Sequence, residues 1–375
     1  MGSTSSAATS QLAPARPVPA LALMRRFPAL AALPRVPFVE TPTAVEPLAL
    51  AGVPEGALWV KRDDRSCPLY GGNKPRKLEF VLGAAAARGS RRLVTTGGFG
   101  THHGLATTLL GRSLGMATTI VVVPQPVTEH VREQLRAMLA FGAELRPAGG
   151  VASAALQVAR ALARAALRGE RPSYLPTGGS SPLGDVGLVS AACELADQVA
   201  AGALPEPREV YVAVGSGGTL SGLVLGAKLA GLRTRFVGVL VTDILPPSPA
   251  RLARLAAATL RLLRRLAPDL PAVRVGAEDF ALTRAQLGPG YGAATPAALA
   301  AAETARAAGL RLETVYTSKC LAELLERLRA GRAEPPVLLW NTYNSVDFWR
   351  DAPAAPPRAA VPRALRRLLD PEPAR

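Results

Sequence analysis

Apolar, β-branched runs alternate with longer Ala/Leu-rich stretches of helical period over most of the chain, a pattern that predicts a parallel sheet covered by helices. The runs predict strands at Leu58 to Val60, Arg92 to Thr96, Thr118 to Val123, Glu209 to Val214 and Arg235 to Val241, each bounded by Gly, Pro or charged residues. Between them the spacing predicts helices over Leu78 to Arg88, Leu105 to Leu114, Glu129 to Phe141, Ser153 to Leu167 and Val186 to Ala201. Ser248 followed by Pro249 reads as a cap and a first-turn proline, opening an amphipathic helix through Arg264 whose arginines face water. The fold class is α/β. No repeat of about 20 to 50 residues and no unbroken apolar run of about 18 occurs, so neither a solenoid nor a membrane-spanning helix is expected.

Composition narrows this picture. The 375 residues, 49% hydrophobic and 19% charged, are enough for one large core or two packed domains and exclude wholesale disorder. The net charge of +16 would by itself suggest nucleic acid or an anionic membrane as partner. Only five of the 44 basic residues are lysines, however, and no basic stripe interleaves with aromatics. An Arg-rich, solvated exterior is therefore expected, with no nucleic-acid or membrane partner. Cys67, Cys193 and Cys320 are widely spaced and odd in number, which supports neither a disulfide framework nor a zinc knuckle and points to a reducing, cytoplasmic compartment. Residues 1–38 carry no acid and no continuous apolar core, so they read as a flexible extension. The MGSTSS start meets only the bare myristoylation pattern. The Pro/Arg-rich tail 351–375, with one short helix at Arg363 to Leu369, reads as peripheral.

Three of the lysines, Lys61, Lys74 and Lys77, fall close together. Lys74 lies in GGNKPRKLE, where a glycine pair permits a tight turn and a proline suits a helix's first turn. A free lysine with a pKa of about 10.4 keeps only about one amine in 2,500 neutral at pH 7. Burial or a neighbouring cation must lower that value before the amine attacks a carbonyl, and Arg76 and Lys77 are at hand to supply the charge. On spacing alone, a pair of surface lysines in a turn remains open.

After the strand at Glu209 to Val214 come Gly215, Ser216, Gly217, Gly218 and Thr219, then a helix from Leu220 to Leu229. Strand, glycine turn and helix form a cradle for one phosphate, with backbone amides and the helix dipole facing the anion. Leu220 stands where a dinucleotide fingerprint needs a third glycine, which speaks against a nicotinamide-dependent dehydrogenase. A second glycine cluster, Gly97 to Gly104, holds Thr101, His102 and His103 at a helix start, where a carboxylate would bind well. The two adjacent histidines lack a third ligand at metal spacing, so no metal site is expected.

Six stretches in order, LWVKRDD, GGNKPRKLEF, YLPTGGSSPLGDVG, AVGSGGTLSG, GPGYG and LETVYTSK, span roughly residues 39–345. Together they resemble the pyridoxal 5'-phosphate (PLP) enzymes of fold type II, and among these the 1-aminocyclopropane-1-carboxylate deaminase and D-cysteine desulfhydrase family. The resemblance implies two open, twisted parallel-sheet domains of the tryptophan synthase β kind, with the cofactor between them. The larger would comprise 39–82 and 180–350, the smaller 83–179, and the protein would be a homodimer acting on a small amino acid. Lys74 would bond the cofactor covalently and act as base. Gly215, Ser216, Gly217, Gly218 and Thr219 would hold its phosphate, helped by Asn73. Thr101 occupies the family's serine position, while His102 replaces the asparagine expected to reach the cofactor ring; Thr101, His102 and His103 would meet the substrate. Tyr291 and Tyr316 match two pocket tyrosines with catalytic roles. Thr317 matches the residue facing the pyridine nitrogen, where a hydroxyl leaves the ring neutral and suits loss of a β-substituent. The leading expectation is β-elimination from D-cysteine or a relative to a 2-oxo acid, ammonia and a thiol or sulfide. Ring-opening deamination, β-replacement and a non-catalytic PLP or amino-acid binding protein stay as alternatives. The segment from Leu339 to Asn344 departs from the family's His-Thr-Gly-Gly. Asp63 and Asp64, beside Lys61 and Arg62, read as ordinary salt bridges rather than an acid/base pair.

Overall fold

The computed structural model describes residues 20–350, 352–354 and 356–369. The myristoylation pattern and the first half of the expected extension lie outside the described residues. In chain order the strands are β1 (Val45–Pro47), β2 (Leu58–Lys61), β3 (Arg92–Gly98), β4 (Ala117–Val123), β5 (Glu144–Pro147), β6 (Ser173–Tyr174), β7 (Glu209–Val214), β8 (Arg235–Leu240), β9 (Ala281–Thr283) and β10 (Val337–Trp340). They form two sheets in two domains, one in the order β1-β2-β10-β7-β8-β9 and one in the order β5-β4-β3-β6. Every pairing is parallel except β1 with β2 at the edge of the larger sheet.

The central strand β7, EVYVAV, is buried along its whole length, as a parallel strand covered on both faces must be. One face carries the helices Pro182–Ala200, Gly218–Ala230 and Pro249–Arg264. The other carries Pro296–Ala307 and Thr317–Arg329. β10, which joins β2 to β7 in register Val337↔Leu58 and Val337↔Glu209, has no counterpart in the sequence expectations. Four apolar residues fit a strand or a buried helix turn equally well.

Close helix contacts set the position of the lysine segment. A Cβ on Gly187 would stand 1.8 Å from the carbonyl oxygen of Arg76, so the helix Pro182–Ala200 presses directly on the helix Lys74–Ala87. Gly226 makes the same use of a missing side chain, its Cβ position lying 2.3 Å from the carbonyl of Val189.

Two peripheral assignments change. Within the expected extension, residues 20–38 are packed: Leu21, Leu23 and Leu30 are buried in the core of the larger domain, and the amide of Leu23 donates to Ser190 Oγ. In the tail, Val361 and Leu365 are buried against the core of the smaller domain. A few buried apolar side chains suffice to dock each segment, whatever charge it carries. The helix Pro249–Arg264 is capped by Ser248, whose Oγ accepts from the Arg251 amide, and Arg251, Arg254 and Arg261 are exposed. The three cysteines are buried and free. No helix among the described residues is long and apolar enough to cross a membrane.

Candidate active site

Lys74 is the first residue of the helix Lys74–Ala87, four residues earlier than the apolar period predicts. The preceding glycines are needed for contact: a Cβ on Gly71 would meet the Asp64 carbonyl at 1.8 Å, and one on Gly72 (φ +87°) the Thr342 carbonyl at 2.6 Å. Lys74 Nζ donates to Asn73 Oδ1 at 2.8 Å, and Asn73 Nδ2 donates to Thr219 Oγ1 at 2.7 Å. One asparagine thus ties the lysine to the glycine loop. Burial, and then repulsion from Lys77, bring the Lys74 amine down to about 7 against the pull of Glu313. About half of it is therefore neutral at pH 7. Arg76, expected to share this work, does not: its guanidinium is taken by Asp63 at 2.7 Å and Glu194 at 3.0 Å.

The glycine loop closes the other side. Gly217, at φ +92°, precedes the helix Gly218–Ala230, which starts two residues before the predicted Leu220. Its first-turn amides therefore belong to the cradle. Asn73, Lys74, Lys77, Gly215, Ser216, Gly217 and Thr219 line a hollow of roughly 400 Å³. Ser180 was not singled out by sequence, yet its Oγ accepts from the Gly218 amide at 3.1 Å and from Lys77 Nζ at 3.0 Å, and meets Ser216 Oγ at 2.7 Å. Asp185 was missed too. Its Oδ1 and Lys77 Nζ lie 2.4 and 2.8 Å from the position a Gly218 Cβ would take, and burial pushes its carboxyl up to about 7 against the pull of Lys77.

A second hollow of roughly 370 Å³ shares Lys74, Tyr316 and Thr342 with the first and adds Tyr70, His102, Glu313, Thr317 and Tyr343. Tyr316 donates to Tyr291 Oη at 3.1 Å, leaving the Tyr291 hydroxyl proton free for another partner. Tyr291 also reaches the smaller domain, its Cε1 lying 3.2 Å from the Cβ position of Gly98. Glu313, also unassigned by sequence, accepts from the amides of Val315, Tyr316 and Thr317 at 2.7 to 2.8 Å. Its carboxylate thereby fixes the start of the helix Thr317–Arg329 and both site residues on it.

The Thr101-His102-His103 triplet separates in space. Thr101 Oγ1 accepts from the Gly104 amide at 3.2 Å as the cap of the helix His102–Ser113, and its O–H remains available to donate. His102 turns into the second hollow. His103, expected with the substrate groups, is buried away from both hollows, its Cε1 3.3 Å from the Cβ position of Gly179. Adjacent helical residues point about 100° apart, and here that angle turns His103 from the hollow that His102 enters. Asp63 and Asp64 are ion-paired as expected, but Asp63 pairs with Arg76, not with its sequence neighbours, while Asp64 holds Arg62.

Comparison with known proteins gives this arrangement a context. Residues 36–342 match the family described as Pyridoxal-phosphate dependent enzyme. The chain is 35% identical to the nocardicin C-9' epimerase of Nocardia uniformis subsp. tsuyamanensis, over 84% of its length and 93% of the relative. It is 31% identical to the D-cysteine desulfhydrase of Yersinia enterocolitica, over 84% of its length and 94% of that protein. A crystal structure of an ACC deaminase homologue superposes with a TM-score of 0.70 at 28% identity, covering 84% of this chain and 93% of that one.

Proposed function

From the premise that this chain belongs to the pyridoxal-phosphate dependent enzyme family, we propose that it removes the α-proton of a small amino acid and eliminates its β-substituent, D-cysteine or a close relative being the substrate. The site fits the cofactor on its own features. The hollow lined by Gly215, Ser216, Gly217, Thr219 and Lys77 would take its phosphate on loop amides and an ammonium, and a desolvated lysine stands beside that cradle. When bound, the cofactor supplies an electron sink for charge left at the α-carbon.

The residues divide the remaining work. Lys74 carries the cofactor and takes the α-proton, its amine already held near neutrality. Asn73 orients that amine and Thr219 together. Gly215 to Thr219, Ser180 and Lys77 hold the phosphate. The amino end of the helix His102–Ser113 receives the substrate carboxylate, with the Thr101 hydroxyl as donor. Tyr291, held by Tyr316, offers a proton to the departing group. The observation that carries the elimination reading is Thr317: its hydroxyl lies 3.4 Å from Glu313 Oε1, and Glu313 is itself committed to backbone amides. A hydroxyl, with no proton-sharing carboxylate of its own, would then face the ring nitrogen and would leave it unprotonated.

A second reading, inversion at the α-carbon, is favoured by the 35% identical epimerase and by the acid–base groups Tyr70 and His102 in the wall of the second hollow. One experiment separates the two. The purified protein is expected to show cofactor absorbance that Lys74→Ala abolishes, and in D2O to release pyruvate and sulfide from D-cysteine. Deuterium at the α-carbon with no pyruvate, across D- and L-amino acids, would replace elimination by inversion. Absence of both exchange and elimination would sink the proposal.

A further inference from the structure

Beyond the second hollow, the polar side chains continue outward in an unbroken file. Tyr70 Oη lies 2.6 Å from His102 Nδ1, and His102 Nε2 lies 3.1 Å from His130 Nε2. His130 Nδ1 then faces Glu133 Oε2 at 3.7 Å, where both side chains are about a third exposed, at 29% and 39%. Each imidazole therefore presents one nitrogen inward and the other outward. We propose that Tyr70, His102, His130 and Glu133 form a proton path between the Lys74 pocket and solvent.

The inward transfer balances atom by atom. Before it, the Tyr70 O–H points into the pocket, His102 donates from Nδ1 to Tyr70, and His130 donates from Nε2 to His102. A proton arriving from Glu133 or water binds His130 Nδ1. The Nε2 proton of His130 moves to His102 Nε2, the Nδ1 proton of His102 moves to Tyr70 Oη, and the hydroxyl proton of Tyr70 enters the pocket. One proton goes in and one comes out; both rings exchange tautomer and remain neutral. Transfer in the other direction restores the first arrangement, so a proton taken from the pocket and a proton returned to it complete a cycle without a ring flip.

The surroundings favour a neutral His102 ring. Burial first, then the charges of His130 and Lys74, hold His102 well below the usual histidine range. Tyr343 packs edge-on against the His102 ring at 5.5 Å, contacts the His130 ring at 6.2 Å, and is itself covered by Arg311 at 5.8 Å. Glu133 is further held by Trp349 Nε1 at 3.2 Å. The remaining group facing His102 is Tyr70, whose hydroxyl burial pushes far up, so that it passes a proton rather than resting ionised.

The inference rests on the reading that this pocket performs α-proton chemistry, and the tests keep the two apart. With only three histidines in the chain, nitrogen NMR of ¹⁵N-histidine-labelled, cofactor-free protein resolves each ring. His130→Ala is expected to shift both His102 nitrogens and leave His103 unmoved; unchanged His102 signals would overturn the path whatever the enzyme does. In the holoenzyme, His130→Ala is expected to slow solvent deuterium incorporation at the α-carbon about tenfold or more with unchanged cofactor absorbance. Added imidazole is expected to restore it, because a free imidazole replaces a relay but not a packing contact. Full activity, or a loss that imidazole does not repair in a variant with wild-type thermal stability, would overturn the proposal. Glu133→Gln, more exposed, is expected to show a smaller loss in the same direction, and no loss in it together with none in His130→Ala ends the case.

Discussion

On one side of the helix Lys74–Ala87, Arg76 joins Lys61, Asp63, Glu194, Thr43 and the Trp340 indole in a dry cluster where each cation meets a carboxylate at 2.6 to 3.0 Å. On the other, Lys77 is buried and Lys74 half-buried, yet their amines bond to Asn73, Ser180 and the Gly178 carbonyl and to no carboxylate among the described residues. The first side spends its charges on each other. The second leaves its amines short of compensation, which depresses their proton affinity and keeps them ready for an anion and a carbonyl carbon. Residues one or two apart on one helix are thus assigned to structure or to chemistry by what the rest of the chain places opposite them.

The largest way to break this contrast is Lys74→Ala. Turnover is expected to fall on the order of 10⁴-fold or more, while thermal melting of the cofactor-free protein at pH 7 holds or rises because a poorly compensated amine is gone. A loss of stability would mean that Lys74 belongs with the structural cations. Next, Glu194→Gln removes the shared partner of Lys61 and Arg76 and is expected to destabilise by about 3–5 kcal/mol in denaturant unfolding, as broken buried ion pairs do. Cofactor absorbance should survive at low denaturant.

The two sides should also respond to pH in separate windows. Burial alone would raise the Glu194 carboxyl, but Arg76 and Lys61 outweigh it and hold it at about 2. Its contribution is present above its ordinary value of about 4.5 and is lost as the pH falls towards 2. Lys74 runs the other way in charge: folded at about 7 against an ordinary 10.5, it binds fewer protons than the unfolded chain between those values. The Lys74 contribution to the stability of the cofactor-free protein should therefore rise from pH 7 towards pH 10, and the difference between wild type and Lys74→Ala should follow it. Asp185 leaves this window clear, since its carboxyl, held at about 7, changes its proton balance mainly below it. Unfolding free energies measured from pH 3 to pH 10 on wild type and both variants check the signs. The smallest effect is expected at the surface, where Asp197→Asn cuts the exposed pairs with Arg25 and Arg26 and should cost within about 1 kcal/mol.

Much of this fold was legible because parallel strands and their covering helices advertise themselves locally: β7 was delimited at both ends by residues 209 and 214, and the Ser248-Pro249 start of its helix was capped as predicted. The shorter elements were not. β10 and the elements within Leu21 to Leu30 are too short to declare a period, and only their partners identify them.

Of the site, the sequence by itself determined the chemistry on offer: a lysine at a helix start, a glycine loop between strand and helix, a hydroxyl and two imidazoles at another helix start, and tyrosines and a threonine downstream. What only the tertiary structure decided was who faces whom. It put Arg76 with Glu194 and Lys77 with Ser180, sent His103 away from the pocket and His102 into it, and drew Glu313 under Thr317. The reason is physical. A residue type fixes which protons and lone pairs exist, whereas dielectric, pairing and proton affinity depend on neighbours brought together from distant parts of the chain, and no local pattern contains them.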